Sequence, residues 1–439
     1  MSQHQHAGCH ANSRALRVPG AAYVLTFCIG VIGSNSLLLG PIAPEIATSF
    51  KSTAQSVMLA SAAFGLGTAL SALFLARYID RFGAFRMLKN VMILLVAALL
   101  SSASASSVEW LIASQLIAGI ASGVTIPAIY TTAAAIAPKG LESKTTGVVL
   151  TGWTLSLVAG VSLASILAEQ FHWRVVYLGI GALAVLAIVI LSRLSNQGEN
   201  VTRISSSPLA ALGVPGVKPL LAACGGFMIA FYGVYGYLGD YLYNELHQPL
   251  SANGLIALCY GIGFGSAAFL DAMISKVNAK VAMPASFLTV AAVYLAFALS
   301  GNSLPVICVL MLFLGTANHL CVNLLITGLN TTDTSKRGAI MGLNSAVTYL
   351  AVFIGNTLFG ALYLHWGYTT VLYAAVGFVV VSILFHSTNS NNQQTLNSIN
   401  TFPSLIPQDI FCSGTLNVCR QIRSVCPPAR LPQYQYRMD

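Results

Sequence analysis

The sequence predicts an all-α integral membrane fold of twelve transmembrane helices in two pseudo-symmetric six-helix bundles. Three observations lead there. The chain of 439 residues is 56% hydrophobic and only 8% charged, with a mean hydropathy of +0.75, too little polar surface to clothe a soluble globule of that size. Its apolar residues fall into twelve runs, each of at least about 18 residues and so able to cross roughly 30 Å of hydrocarbon as a helix. Of 21 Lys and Arg, 19 lie on one side of that ladder and only Lys51 and Arg174 on the other. Such a bias marks the cytoplasmic side of a multi-span protein, and an even number of spans puts both termini on that side; the expected location is a bacterial inner membrane.

Taken in order, residues 1–18 are expected to be a cytoplasmic tail, in which His4, His6, Cys9 and His10 read as an adventitious tract rather than a metal site. No metal and no cofactor is expected. The first apolar run, near 19–42, is too long for a signal-peptide core and lacks a small-residue cleavage site, so it reads as retained. Runs near 56–76, 88–106, 109–134, 145–168 and 174–192 complete a first bundle over 19–192. Residues 193–218, polar and broken by Gly198, Pro208, Gly213, Pro215 and Gly216, read as a cytoplasmic linker. Runs near 219–241, 253–273, 281–300, 304–327, 338–363 and 367–386 form a second bundle over 219–386. Gly and Ala are dense in these runs, as in Gly119 to Gly123 and Gly261 to Gly265, which lets helix backbones approach closely and slide. Residues 387–439, rich in Asn, Gln, Ser and Pro without an apolar period, are expected to be a disordered cytoplasmic tail.

The net charge of +9 follows from this topology, and the bases, scattered over short loops, form no patch for nucleic acid. Cys28, Cys224, Cys259, Cys308 and Cys321 fall inside spans as small hydrophobes, and the seven-residue spacing of Cys412, Cys419 and Cys426 does not suit zinc. The two bundles rest on an internal repeat. The stretch from Ser143-Lys144 to His172-Trp173 is echoed from Ser335-Lys336 to His365-Trp366, with Ser335 192 residues after Ser143 (335 − 143) and His365 193 after His172 (365 − 172).

The most specific local signal lies between the second and third spans: Arg77-Tyr78-Ile79-Asp80-Arg81-Phe82-Gly83-Ala84-Phe85-Arg86. A tight turn there needs a Gly, and Asp followed by bases can form a switchable ion-pair cluster at the membrane face. With this loop the chain resembles the major facilitator superfamily, and within it the twelve-span drug:proton antiporter branch, over roughly residues 15–386. The resemblance implies a conformational latch at Asp80, Arg81, Gly83 and Arg86; Ala76 and Phe85 depart from the family's pattern of an initial Gly and a first paired base. Span four resembles the family's Arg-containing helix, with Gly119 in place but Gln115 where that Arg, linked to proton coupling, is expected. Span five is similar to the antiporter helix, but Ser162 stands where Pro is common, which predicts a straighter helix. These stretches together look most like the efflux permeases for arabinose and related small polar solutes.

In this fold, spans one, four, seven and ten are implied to line a central cavity. The candidate contacts for a small-molecule substrate are Asn35, Gln115, Tyr232, Tyr235, Asn318, His319 and Asn323, because a polar group facing lipid costs free energy and is better placed toward water or another helix. The duller alternative is that these amides and hydroxyls tie helices together. Proton-coupling candidates are His319 and Asp240. Glu45 and Asp240 fall near the outer ends of spans one and seven and Asp271 near the inner end of span eight, so no carboxylate sits at mid-span.

The function expected is export of a small organic solute or drug by a monomeric secondary transporter in the lipid bilayer, in exchange for protons. A facilitator or importer without antiport is the alternative, favoured by Gln115 and the lack of mid-span carboxylates. From another class, a non-transporting solute sensor would signal through the long tail. An enzyme would need a convergent nucleophile and base or a metal-ligand cluster, and the sequence presents neither.

Overall fold

The computed structural model describes residues 18–138, 141–194, 208–274, 276–333 and 335–400, and their side chains other than Asp80, Glu142, Ser143, Ala272 and 387–400. The histidine-containing amino-terminal tract, most of the linker and the tail cysteines lie outside the described residues. Among the described residues all regular structure is helical. Eleven helical runs among these residues are long and apolar enough to cross a membrane. The last of them, Arg337–His386, is 50 residues long and bends at Gly367 (φ 75°, ψ 176°), so it supplies spans eleven and twelve.

The other ten are Gly20–Leu37, Ala54–Phe74, Ala84–Ala103, Val108–Ile136, Lys144–Gln170, Trp173–Arg193, Val217–Glu245, Leu250–Leu270, Ala279–Ser300 and Leu304–Thr332. Side chains cap several of their starts, supplying acceptors that the first turn of a helix lacks. Thr53 Oγ1 accepts from Ser56 N–H at 3.2 Å, Ser107 Oγ from Trp110 N–H at 3.3 Å and Asn278 Oδ1 from Lys280 N–H at 3.0 Å. Because the spans alternate in direction, their connections fall on two faces. All described Lys and Arg lie at or near one of these, the basic face, except Lys51 and Arg174 at the far face.

Three elements differ from the sequence expectation. Span one continues past residue 42 as the helix Leu39–Phe50, because Glu45 finds a partner: its carboxylate accepts from Trp173 N–H at 2.9 Å, at the start of span six. Span five is interrupted by a π turn, Ser156–Val161, despite lacking a proline. The reason is packing: Gly160 abuts Ser34, whose Oγ would lie 1.9 Å from an added Cβ, and Gly33 abuts Ser156. The final helix continues to Asn400, past residue 387 where composition predicts the tail to begin. Extending a helix already nucleated costs far less than starting one. Residues 401–439 lie outside the described residues.

The repeat reappears in the packing. Gly119 of span four sits against the carbonyl of Phe64 in span two, 2.1 Å from where its Cβ would stand, and Gly315 of span ten sits against the carbonyl of Tyr260 in span eight at 2.2 Å. Both members of the second pair lie 196 residues after those of the first (315 − 119 and 260 − 64). Gly67 against Leu116 and Gly263 against Leu312 repeat the relation at the same separation. Spans two and four therefore meet as spans eight and ten do.

Contacts between the two sets of six spans run from the far face to mid-span. Gly40 of span one lies against Tyr235 and Gly236 of span seven, Asn356 Nδ2 of span eleven donates to Ser61 Oγ of span two at 3.2 Å, and Gly254 of span eight meets Ser162 of span five.

Candidate functional site

Five of the residues singled out in the sequence, Tyr232, Tyr235, Asn318, His319 and Asn323, converge with Asp271, Tyr260 and Phe231 in one continuous cluster on spans seven, eight and ten. His319 Nε2 lies 3.2 Å from both carboxylate oxygens of Asp271, and Asn323 Nδ2 donates to Asp271 Oδ1 at 2.7 Å. The four-residue spacing of His319 and Asn323 puts both on one face of span ten, stacked along the helix where a single carboxylate can meet them. The side chains of His319 and Asp271 are 18% and 35% exposed, so the pair is only partly buried.

Asn318, almost wholly buried, donates from Nδ2 to Tyr260 Oη at 3.0 Å, while its Oδ1 has no protein partner. Tyr260 lies face to face with Phe231 (centroids 5.3 Å apart) and, along its own helix, with Phe264 (6.1 Å). Phe264 meets the His319 ring edge-on at 5.0 Å, and Phe231 meets Tyr235 at 5.6 Å and Tyr232 at 5.1 Å. A ladder of aromatic rings thus joins Tyr235, whose buried hydroxyl has no protein partner, to the His319–Asp271 pair. Such rings offer flat apolar faces with a few polar tips.

Asn35 and Gln115 are elsewhere and spend their polar atoms on each other. Asn35 Nδ2 donates to Gln115 Oε1 at 3.2 Å, and Gln115 Nε2 donates to Ser102 Oγ at 3.0 Å. Both side chains are buried, and the nearby Ser122 and Thr125 return their hydroxyls to carbonyls of span four. Asp240 stands at the far face: Tyr363 Oη donates to its Oδ2 at 2.8 Å and Asn244 Nδ2 to its Oδ1 at 2.7 Å. These groups line a cavity of about 510 Å³ that also touches Thr48, Lys51 and Gln55 from spans one and two. Asp240 and His319 therefore occupy separate places.

In the loop between spans two and three, Gly83 adopts φ 84°, ψ 131°, a conformation open to glycine alone without strain. Arg81 is exposed with its guanidinium 5.6 Å from the Phe82 ring, and Arg86 is exposed too. The side chain of Asp80 lies outside the described residues.

Sequence reasoning put Asp271 at the inner end of span eight without joining it to His319, 48 residues away, and passed over Tyr260 and Phe231. The repeat held the signal. At the separation of 196 residues that relates the helix contacts, Gly123 and Leu75 are the counterparts of His319 and Asp271. The first half packs the same pair of helices with no ionisable group there.

Chemically, the imidazole Nε2–H can donate to the Asp271 carboxylate, so the two side chains satisfy each other inside a helical bundle, where an unpartnered polar or charged group is costly.

The family model described as Major Facilitator Superfamily matches residues 25–332. The chain belongs to that superfamily and is a multi-pass membrane transporter of small solutes. It is similar to the MFS-type transporter YwfA of Bacillus subtilis (strain 168), 26% identical over 371 residues, 82% of this chain and 89% of the relative. It is also similar to a probable sugar efflux transporter of Mannheimia succiniciproducens, 24% identical over 54% of this chain and 60% of the relative. A chloramphenicol resistance protein of Streptomyces lividans is 24% identical over 48% of this chain and 55% of the relative. In fold, the chain is similar to a bacterial homologue of the human lysosomal transporter Spinster, with TM-score 0.70 at 15% identity over 84% of this chain and 96% of that one.

Proposed function

We propose that the protein exports a small organic solute across the bacterial inner membrane in exchange for protons, by rocking of the halves 19–192 and 219–386 about a site near mid-membrane. In this reading the basic face is cytoplasmic, 193–218 links the halves, 387–439 is a cytoplasmic tail and the transporter works as a monomer. The observation that carries the proposal is the His319–Asp271 pair at 3.2 Å. A scaffold role alone gives no reason for it, because Gly123 and Leu75 suffice at the corresponding places of the first half. The solute is bound against Tyr232, Tyr235 and Asn318, next to the pair, so that proton and solute occupancy affect one another. The efflux and resistance names of two relatives are in keeping with outward movement of small organic molecules. The loop with Asp80, Arg81, Gly83 and Arg86 serves as the cytoplasmic latch, and Asp240 is a second station for protons at the outer face.

Inverted membrane vesicles with an imposed proton gradient test this. Solute uptake driven by the gradient is expected in the parent protein and is lost on His319→Ala and on Asp271→Asn. If both variants, together with Asp240→Asn, keep gradient-driven uptake, the coupling assignment is wrong. A second reading has its own support. Gln115, in place of the basic residue of the resembled antiporters, is wholly engaged with Asn35 and Ser102, which suits facilitated movement without a proton; parent vesicles would then equilibrate the solute at the same rate with and without the gradient.

A further inference from the structure

The far-face seam between the halves is made mainly of backbone pressed on backbone. An added Cβ at Gly40 would lie 2.9 Å from Tyr235 O, one at Gly239 2.4 Å from Gly40 O, and one at Gly254 2.6 Å from Ser162 O. Pro44 has no N–H, so Gly40 O also lacks its normal helical donor and is free to face span seven. Surfaces of this kind fit closely and slide with little resistance. Something directional has to hold them.

Two polar side chains do so. Asn253, 3% exposed, donates from Nδ2 to Pro41 O at 2.7 Å and toward Gly239 O at 3.4 Å, joining spans one, seven and eight across the seam. Glu169, at the end of span five, accepts through Oε2 from the backbone N–H of Ser251. Ser251 lies in the first turn of the helix Leu250–Ser266, where N–H groups lack partners within the helix and the dipole favours an anion. A carboxylate of one half thus caps a helix of the other.

We infer that Glu169 and Asn253 are positioning residues that fasten the far face shut, and that each opening of that face must release both. The inference rests on the alternating-access reading. Its test therefore measures conformation without solute or gradient, so that its failure and the failure of proton-coupled export are distinguishable.

Full-length protein in nanodiscs carries one of two reporter cysteines, each compared with protein lacking it under a water-soluble maleimide. Met58→Cys reports the closed seam, because Met58 is 2% exposed and its Cε lies 3.0 Å from where a Gly236 Cβ would stand. Tyr130→Cys, half-buried on span four toward the basic face, reports the other end. Glu169→Ala and Asn253→Ala are expected to raise labelling of Met58→Cys about tenfold, the factor that loss of one buried or charge-assisted hydrogen bond represents, and to lower labelling of Tyr130→Cys. Glu169→Gln, which keeps a carbonyl acceptor, restores most of the protection. Unchanged labelling at Met58→Cys overturns the inference. So does a rise at both reporters, which would mean that the two residues hold the fold and not the gate.

Discussion

His319 and Asp271, 48 residues apart in the chain, meet at 3.2 Å between spans ten and eight, and Asn323 fixes the carboxylate from one turn further along. In the proposed coupling, this contact ties a proton to the relative position of two helices. Removing His319 leaves Asp271 with the Asn323 amide alone, and removing the carboxylate charge leaves the imidazole with no counter-ion. Transport driven by a pH gradient should fall by more than about tenfold in His319→Ala and in Asp271→Asn, a factor equivalent to ~1.4 kcal/mol of lost coupling. Solute exchange in the absence of a gradient should persist, since it needs no net proton movement. The double variant should be no worse than either single one, because the two act as a unit. Additive losses would show that they act separately.

The glycine pairs make a prediction about stability that is independent of transport. A methyl group at Gly119 would meet Phe64 O at 2.1 Å and one at Gly315 would meet Tyr260 O at 2.2 Å; in both, the obstacle is backbone, which cannot swing aside. Gly119→Ala and Gly315→Ala are each expected to destabilise by about 1–3 kcal/mol, the usual cost of overpacking, lowering the melting temperature in detergent by similar amounts. Gly147→Ala, with open space around the added carbon, should melt like the parent.

Much of this was legible in the sequence because the bilayer reduces the choices. Long apolar runs must be helices, and the positions of Lys and Arg order them. Gly83 was readable for the same kind of reason, since a turn between two closely spaced spans demands its backbone angles. The pairing of His319 with Asp271 was not readable, because nothing in the spacing along the chain says which carboxylate an intramembrane imidazole meets. Asn35 and Gln115 show the converse: their polarity marks them as residues that need partners, and only the packing of spans one, three and four reveals that the partners are each other and Ser102. The π turn in span five escaped for want of a proline, its cause being the fit of Gly160 to Ser34.

At the far face, His172 is expected to give the protein a measurable response to acid. Its Nδ1 accepts from Arg174 N–H at 3.2 Å and caps span six, which requires the ring to be neutral. Partial desolvation, and then the neighbouring Arg174 charge, hold its pKa below the ordinary histidine value. A folded-state pKa lower than the unfolded one means that the unfolded chain binds more protons, so this contribution to stability is complete above about pH 6.5 and declines as the pH falls below it. Thermal unfolding measured between pH 7.5 and 5.5, expressed as a loss on acidification, should be smaller in His172→Asn, which keeps an acceptor at the cap but does not titrate. An equal loss in both proteins would assign the acid response to other groups.

The contact between Asn318 and Tyr260 separates a role in solute binding from one in helix packing. Tyr260→Phe keeps the ring between Phe231 and Phe264 but removes the oxygen to which Asn318 Nδ2 donates at 3.0 Å. The amide, already without a protein partner at Oδ1, is then free to turn. If it orients the solute, KM should rise by about fivefold to tenfold, matching roughly 1 to 1.4 kcal/mol for one hydrogen bond, with the maximal rate nearly unchanged because the His319–Asp271 pair is untouched. Asn318→Ala removes the donor and the acceptor together and should raise KM further. If the bond merely joins spans eight and ten, Tyr260→Phe should lower the melting temperature and leave KM where it was.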